Sequence, residues 1–354
     1  MIIVELFKSG VLQCLRAEQS RRIPAFDFIR AVCALGIVFY HFICQGSCKV
    51  LYPILKTFPN GSGDVGSEIV TVFFLISGAL LYHNNPIISS KKIFYKKRWL
   101  SLFPAFYIAY ASIFLIRALT GISPMKGKEL GLFPLTLVGF DGYLAAYTSF
   151  KDWYILGEWF LGAIILCYLL YPLFIKFINS HEVEFYIAIS SLYFVFIDVE
   201  FLRQDAFRNV FSCIFSFAIG MAIDKYKLYE KKGLLLISAL IWGVVCFLPF
   251  ERSSSLTNHL AGICLFFILY YIGKVWMKNQ IISKLFSEIS KVSYEIFLLQ
   301  HIIIYFIVSR FDTTNVMQTV AILTADTIIT FIAAEILHFV VKVVLDGFRG
   351  LKIS

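Results

Sequence analysis

The sequence predicts an all-α protein, a polytopic transmembrane helix bundle of about ten helices, and three observations carry that prediction. Hydrophobic residues make up 59% of the 354 residues and charged residues only 16%, with a mean hydropathy of +0.79, which excludes an ordinary water-soluble chain. The apolar residues come in continuous runs, where the strands of a membrane barrel would alternate apolar and polar positions. Basic residues are spread unequally over the segments between the runs. In hydrocarbon every backbone amide needs an internal partner, so such runs form helices.

In chain order the runs cover 28–46, 65–83, 99–118, 153–178, 185–200, 208–223, 233–250, 259–275, 292–310 and 316–341. An even number of crossings puts both termini on one side. With the N-terminus inside, the cytoplasmic segments hold 21 Lys and Arg residues and the outer segments 10, Arg30 being the remaining one of 32. That bias predicts cytoplasmic N- and C-termini. The formal charge of +9 then follows from topology, and nucleic-acid binding loses its motive. The expected organisation is a cytoplasmic or interfacial segment at 1–26, a membrane domain at 27–345 and a short cytoplasmic tail at 346–354.

The first run starts near Phe28 and has no small-residue cleavage site after it, so it is expected to stay in place as a helix. Before it, Ile3, Val4, Phe7, Val11, Cys14 and Leu15 share one helical face, which suits a short helix lying on the inner surface; a disordered tail is the other reading. The stretch 119–152 is punctuated by Gly and Pro, and its LGLFPLTLVGF reads as a re-entrant or interfacial segment. No internal repeat is visible, so the inverted-repeat signature of many transporters is missing from the sequence. None of the 8 cysteines forms a CxxC pair or a Cys/His cluster, and no metal site is expected. Most should be small buried hydrophobes, with Cys44 and Cys48, four apart near the outer end of the first helix, placed where oxidation could join them.

A charge inside a membrane helix costs roughly 2.5 to 3.5 kcal/mol at the centre, so each one needs a reason. Arg30 lies near the inner edge of the first helix and His41 eleven residues later. Eleven steps of about 100° bring the two side chains within about 20° of each other, roughly 16 Å apart along the axis. Histidine suits proton abstraction from a hydroxyl, because its pKa lies near neutral. Arginine offers a planar fork for phosphate. A fork at the inner mouth and a base well across the bilayer would fit coenzyme A, whose charged end and thioester are joined by a long arm, provided both groups open onto one cavity. The alternative is an Arg30 that snorkels to the interface and a His41 bonded within the bundle. Position does not separate the two.

The stretch FDFIRAVCALGIVFYHF resembles the Arg-x10-His first helix of the acyltransferase 3 family, membrane enzymes that O-acylate bacterial surface sugars. VGSEIVTVFFLISGALL looks like that family's second-helix FFxISG segment, and FYKKRWLSLFPAFYIAY like the basic, Pro-containing start of its third helix. WFLGAIILCYLLYPLF is similar to its Trp-led helix, FAIGM to its mid-chain Gly-Met helix and SYEIFLLQHIII to its late SYxIYLxH helix. Six stretches in family order span about residues 25–310.

The resemblance implies acyl transfer from acyl-coenzyme A, with His41 matching the catalytic histidine, Arg30 its partner, and Arg98 an arginine that holds the coenzyme. The bland reading of Arg98 is a positive-inside anchor beside Lys96 and Lys97. Three departures stand out. Where the family often has Arg-x-x-Arg-x-x-Pro, this chain has Arg98, Ser101 and Pro104. Acidic residues common inside the Trp-led helix are absent here, with Glu158 preceding Trp159 instead. The late histidine position is Gln300, with His301 one step on, about 100° round the helix. Glu158, Trp159 and His301 are therefore candidates for substrate binding as well as for structural interface roles.

The expected function is an O-acetyltransferase of the bacterial inner membrane, multi-pass and without a permanently bound cofactor. It would use acetyl-CoA as acyl donor and a sugar hydroxyl of a surface polysaccharide or its lipid-linked precursor as acceptor. Expected partners are the lipid bilayer, acyl-CoA, the polysaccharide or lipid-linked oligosaccharide and polysaccharide assembly proteins. The alternatives are transfer of another acyl group such as succinyl, a saccharide or lipid transporter or flippase, and an inactive scaffold. Among lesser candidates, Asp27 reads as a helix cap, with pairing to Arg30 as the alternative, Tyr40 as a core or lipid contact, Glu295 as a paired structural carboxylate, and Glu335 and His338 as able to pair with each other.

Overall fold

The computed structural model describes residues 22–56, 63–120, 128–145, 153, 155–156, 159–197, 199, 207–247 and 254–350. The expectations for the N-terminal segment up to residue 21 and for Glu158 lie outside them. Among the described residues every regular element is helical. The helices are α1 (Pro24–Gln45), α2 (Val65–Asn84), α3 (Lys91–Leu119), α4 (Phe133–Leu137), α5 (Asp141–Ala145), α6 (Trp159–Ser180), α7 (Glu182–Phe196), α8 (Val210–Lys225), α9 (Gly233–Phe247), α10 (Ser254–Trp276), α11 (Gln280–Lys291), α12 (Ser293–Val308) and α13 (Val316–Gly350).

Each of the ten expected runs holds one of these helices, but they are not equal. Six, α1, α2, α3, α6, α10 and α13, are long and apolar enough to cross a membrane, and the bent pair α11 and α12, meeting at 67°, makes a seventh if taken as one span. The remaining three, α7, α8 and α9, have 15 or 16 residues. At 1.5 Å per residue that is about 22 to 24 Å, short of the roughly 30 Å hydrocarbon layer. The stretch around 133–145 forms only the two short helices α4 and α5, as its Gly and Pro residues suggest. The last helix continues past 345 to Gly350, so the tail expected from 346 begins as helix.

Side-chain caps set several helix starts. Asn209 accepts from the Ser212 amide at 2.9 Å, and Asn279 from the Ile281 amide at the same distance. Asp64 caps α2 through Ser67 N (2.8 Å), while its other oxygen accepts from Tyr40 and its backbone amide donates to Asn258, both at 2.9 Å. Tyr40 thus ties α1 to α2 and α10. Asp27 is not the cap of α1, which starts after Ile23 with Pro24 in its first position. The helix begins three residues before Asp27 and leaves it inside the first turn, where its carboxylate pairs with Arg22 Nε at 2.6 Å and accepts from Ser290 Oγ at 3.2 Å. Cys44 is exposed, Cys48 buried, and both are free thiols.

The α2 and α8 backbones touch. A Cβ on Gly78 would lie 2.0 Å from the Phe217 carbonyl oxygen, and one on Gly220 2.0 Å from that of Leu75. Small residues let helices approach this closely where lipid gives no hydrophobic drive to association. Replacing Gly220 by Ala is expected to lower stability by about 1 to 3 kcal/mol, seen as a fall in the apparent Tm of the purified protein. An unchanged Tm would show that the two helices can part freely.

At the end of α2, Tyr171 donates to the carbonyls of Leu81 (3.1 Å) and Asn85 (2.8 Å). Close by, the buried Asp224 Oδ1 accepts from Lys227 Nζ and Tyr229 OH, each at 2.9 Å, with His83 Nδ1 at 3.1 Å. These bonds hold the α2 terminus between α6 and α8 and so fix one wall of the site described next.

Candidate active site

A cavity of about 430 Å³ opens among α1, α2, α3, α6 and α12. One side of α2 lines it from Val70 to Asn84 at helical spacing, with Phe73, Ser77 and Leu80 between them. Arg30 enters from α1, Arg98 and Ser101 from α3, Tyr168 from α6, and Ser293 and Tyr294 from α12. The remaining lining is mostly apolar.

Arg30 donates through Nη2 to Ser293 Oγ at 2.9 Å. The Arg98 guanidinium stands 5.9 Å from the centre of the Tyr168 ring, and its Nε is buried without a hydrogen-bond partner among the described residues. Lys96 and Lys97, by contrast, are exposed. This separates Arg98 from the anchor reading, since the neighbouring lysines reach water and Arg98 turns inward. The Tyr294 hydroxyl is also buried and unpartnered among the described residues. Among the described residues no Asp or Glu lines the cavity. Two guanidinium groups face a largely apolar chamber; Arg30 has Asp27 and Glu295 within electrostatic reach, and an anion entering the chamber would meet both guanidinium groups.

His41 does not line this chamber. The lining on α1 ends at Ile37, one helical turn before His41, and on α12 at Phe297, one turn before His301. Phe73, Phe160 and Phe297 fill that level, with ring centroids 5.9 Å apart for Phe73 and Phe160 and 5.5 Å for Phe160 and Phe297. Phe73, Phe160 and Phe297 thus form an aromatic layer lining the chamber at the end nearer His41, and His41 is not among the residues that line the chamber with Arg30. Beyond the layer the His41 and His301 rings lie 4.2 Å apart. His301 Nδ1 is 2.9 Å from the Gln45 amide nitrogen. His301 and Gln45 line a second, more open pocket of about 580 Å³, together with Arg117, Ile155, Leu156, Tyr305 and Ser309. The one-step shift of the late histidine to position 301 thus places it against His41.

Trp159 lines neither space. It packs against Phe74, at 6.4 Å, and under the Arg208 guanidinium, at 5.8 Å, which makes it an interface residue of α6. Glu335 and His338 do not pair as expected. His338 Nδ1 instead meets Glu295 Oε1 at 2.7 Å, because α12 and α13 run side by side and bring the buried Glu295 within reach. Glu295 is the paired carboxylate that its position suggests.

The cavity residues that charge alone does not pick out, Ser77, Tyr168, Ser293 and Tyr294, all sit in quoted motif stretches: FFLISG, the Trp-led helix and the SY pair of the late helix. The two glycines of the α2–α8 contact come from FFLISG and FAIGM. Arg117 is not distinguished by sequence, because a basic residue at a helix end reads as an ordinary interface anchor. Among the described residues no group of His, Cys, Asp and Glu could hold a metal ion.

Compared with known protein families, the chain matches the model of an acyltransferase domain over residues 23–337. No curated protein and no solved structure matches it.

Proposed function

Because the chain belongs to the acyltransferase 3 family of membrane acyltransferases, we propose that it is an O-acetyltransferase of the bacterial inner membrane, moving an acetyl group from acetyl-CoA to a sugar hydroxyl of a surface polysaccharide or its lipid-linked precursor. The observation that carries this reading is the Arg30 and Arg98 pair in one chamber with no carboxylate lining it among the described residues. The positive-inside bias sets the arginine end of α1 at the cytosol, where the donor is available. Phosphate oxygens of the coenzyme are matched to the two guanidinium forks, and the pantetheine arm to the apolar wall of α2.

His41 acts at the other end. The acceptor hydroxyl enters the second pocket, gives its proton to His41 and attacks the thioester carbonyl; the new C–O bond forms, the C–S bond breaks, and the proton passes to the departing thiolate. His301, held by Gln45, positions the His41 ring. For the thioester to reach His41 the Phe73, Phe160 and Phe297 rings must rotate aside, which side-chain motion permits on binding.

Purified protein incubated with acetyl-labelled acetyl-CoA tests the reading. The expected result is retention of label or slow release of free acetate, increased by an added glycan acceptor. Protein that neither binds nor hydrolyses the compound would favour a transporter in which Arg30 and His41 bind cargo or relay protons.

A further inference from the structure

We infer that the second pocket is an anion site built around Arg117, so that the acceptor is an acidic saccharide, carrying a carboxylate near the hydroxyl that is acylated. This rests on the acyl-transfer reading for its place in the reaction, and on the geometry of the pocket for its chemistry. Arg117 lies in the last turn of α3, half-buried, and lines the same pocket as His301. No described carboxylate pairs with it, and none lines the pocket. A second guanidinium stands at the rim, where Arg310 Nη1 donates to Ser309 Oγ at 3.2 Å.

A basic side chain at a helix C-terminus has an ordinary reason to exist, since it complements the helix dipole and can snorkel to the headgroups. Arg117 does more than that role needs. It shares a concave pocket with an imidazole and an amide, while Arg310, in the turn just after α12, lies exposed over the Phe306 ring at 3.6 Å. Tyr305, 73% exposed at the pocket edge, adds an amphipathic ring beside it. A guanidinium takes a carboxylate through two parallel hydrogen bonds, which fixes orientation as well as charge. A sugar acid bound in this way would present its ring hydroxyls toward the histidine pair.

Arginine modification tests this without depending on turnover. The purified full-length protein is treated with phenylglyoxal in detergent with methyl glucuronide, methyl glucoside or neither, and modification of each arginine is read by peptide mass spectrometry. Methyl glucuronide is expected to slow Arg117 modification several-fold and methyl glucoside to leave it unchanged, with the exposed Arg22, before the other end of α1, as internal reference. Equal protection by both sugars, or by neither, would overturn the inference. A parallel reaction in phosphatidylglycerol nanodiscs separates the other source of anions: if lipid alone gives full protection, Arg117 reads headgroups and the inference falls. Where transfer is measurable, Arg117→Gln should raise KM for the glucuronide roughly tenfold to hundredfold and leave that for the glucoside unchanged. Failure of the transferase reading shows separately, as absence of acetate release in protein whose Arg117 is still protected.

Discussion

Replacing His41 by Ala lowers acetyl transfer by roughly 10²- to 10⁴-fold while membrane insertion, thermal stability and coenzyme binding stay at wild-type levels. The magnitude is that of a general base removed from a proton-transfer step. The separation of effects follows from the geometry, because His41 stands a full turn beyond the residues that line the arginine chamber. Its ring leans on His301 and Tyr40, at 4.2 and 5.3 Å, and loss of those contacts in one side chain leaves the helix packing of α1 unaltered. His41→Gln should be as inactive as His41→Ala. Transfer at wild-type rate in either variant would remove the imidazole from the mechanism.

The arginines are expected to show the opposite pattern. Arg98→Gln should weaken coenzyme A binding roughly tenfold to hundredfold, the effect of losing a charge-assisted hydrogen bond inside a low-dielectric chamber. Arg98→Lys should recover only part of it, since an ammonium group lacks the planar fork. Arg30→Gln should weaken binding to a similar degree and also free Ser293, because the Arg30 to Ser293 bond at 2.9 Å joins α1 to the start of α12. In both variants KM for the donor rises more than kcat falls. Calorimetric titration with coenzyme A distinguishes this from the anchor reading of Arg98, under which the affinity would be unchanged and only protein yield would drop.

Much of this arrangement is legible in the residues. Composition and run length locate a helix in every expected stretch, and the first of those helices carries both Arg30 and His41, as the Arg-x10-His spacing requires. The inward turn of Arg98 is not legible, because Lys96, Lys97 and Arg98 are alike in hydropathy and differ only in which face of α3 they occupy. The aromatic layer was hidden for the same reason: Phe73, Phe160 and Phe297 come from three helices, and sequence order says nothing about rings that meet across a bundle. The runs behind α7 and α8, 185–200 and 208–223, are themselves only 16 residues long, about the length of the helices they form, so hydropathy marks them as membrane segments without supplying the length of a full crossing. His338 shows the limit of spacing rules, since the i, i+3 partner Glu335 is on its own helix and the stronger partner, Glu295, is on another.

The central claim is that one donor molecule reaches past the aromatic layer at the end of the arginine chamber, its phosphates on Arg30 and Arg98 and its sulfur beside His41. A structure of the protein determined with coenzyme A bound, at a resolution that traces the pantetheine arm, tests it most directly. The account predicts phosphate density at the two guanidinium groups, rotated Phe160 and Phe297 rings, and the thiol within hydrogen-bonding reach of His41. Coenzyme bound outside the arginine chamber, or an arm that stops short of an unmoved aromatic layer, would contradict it.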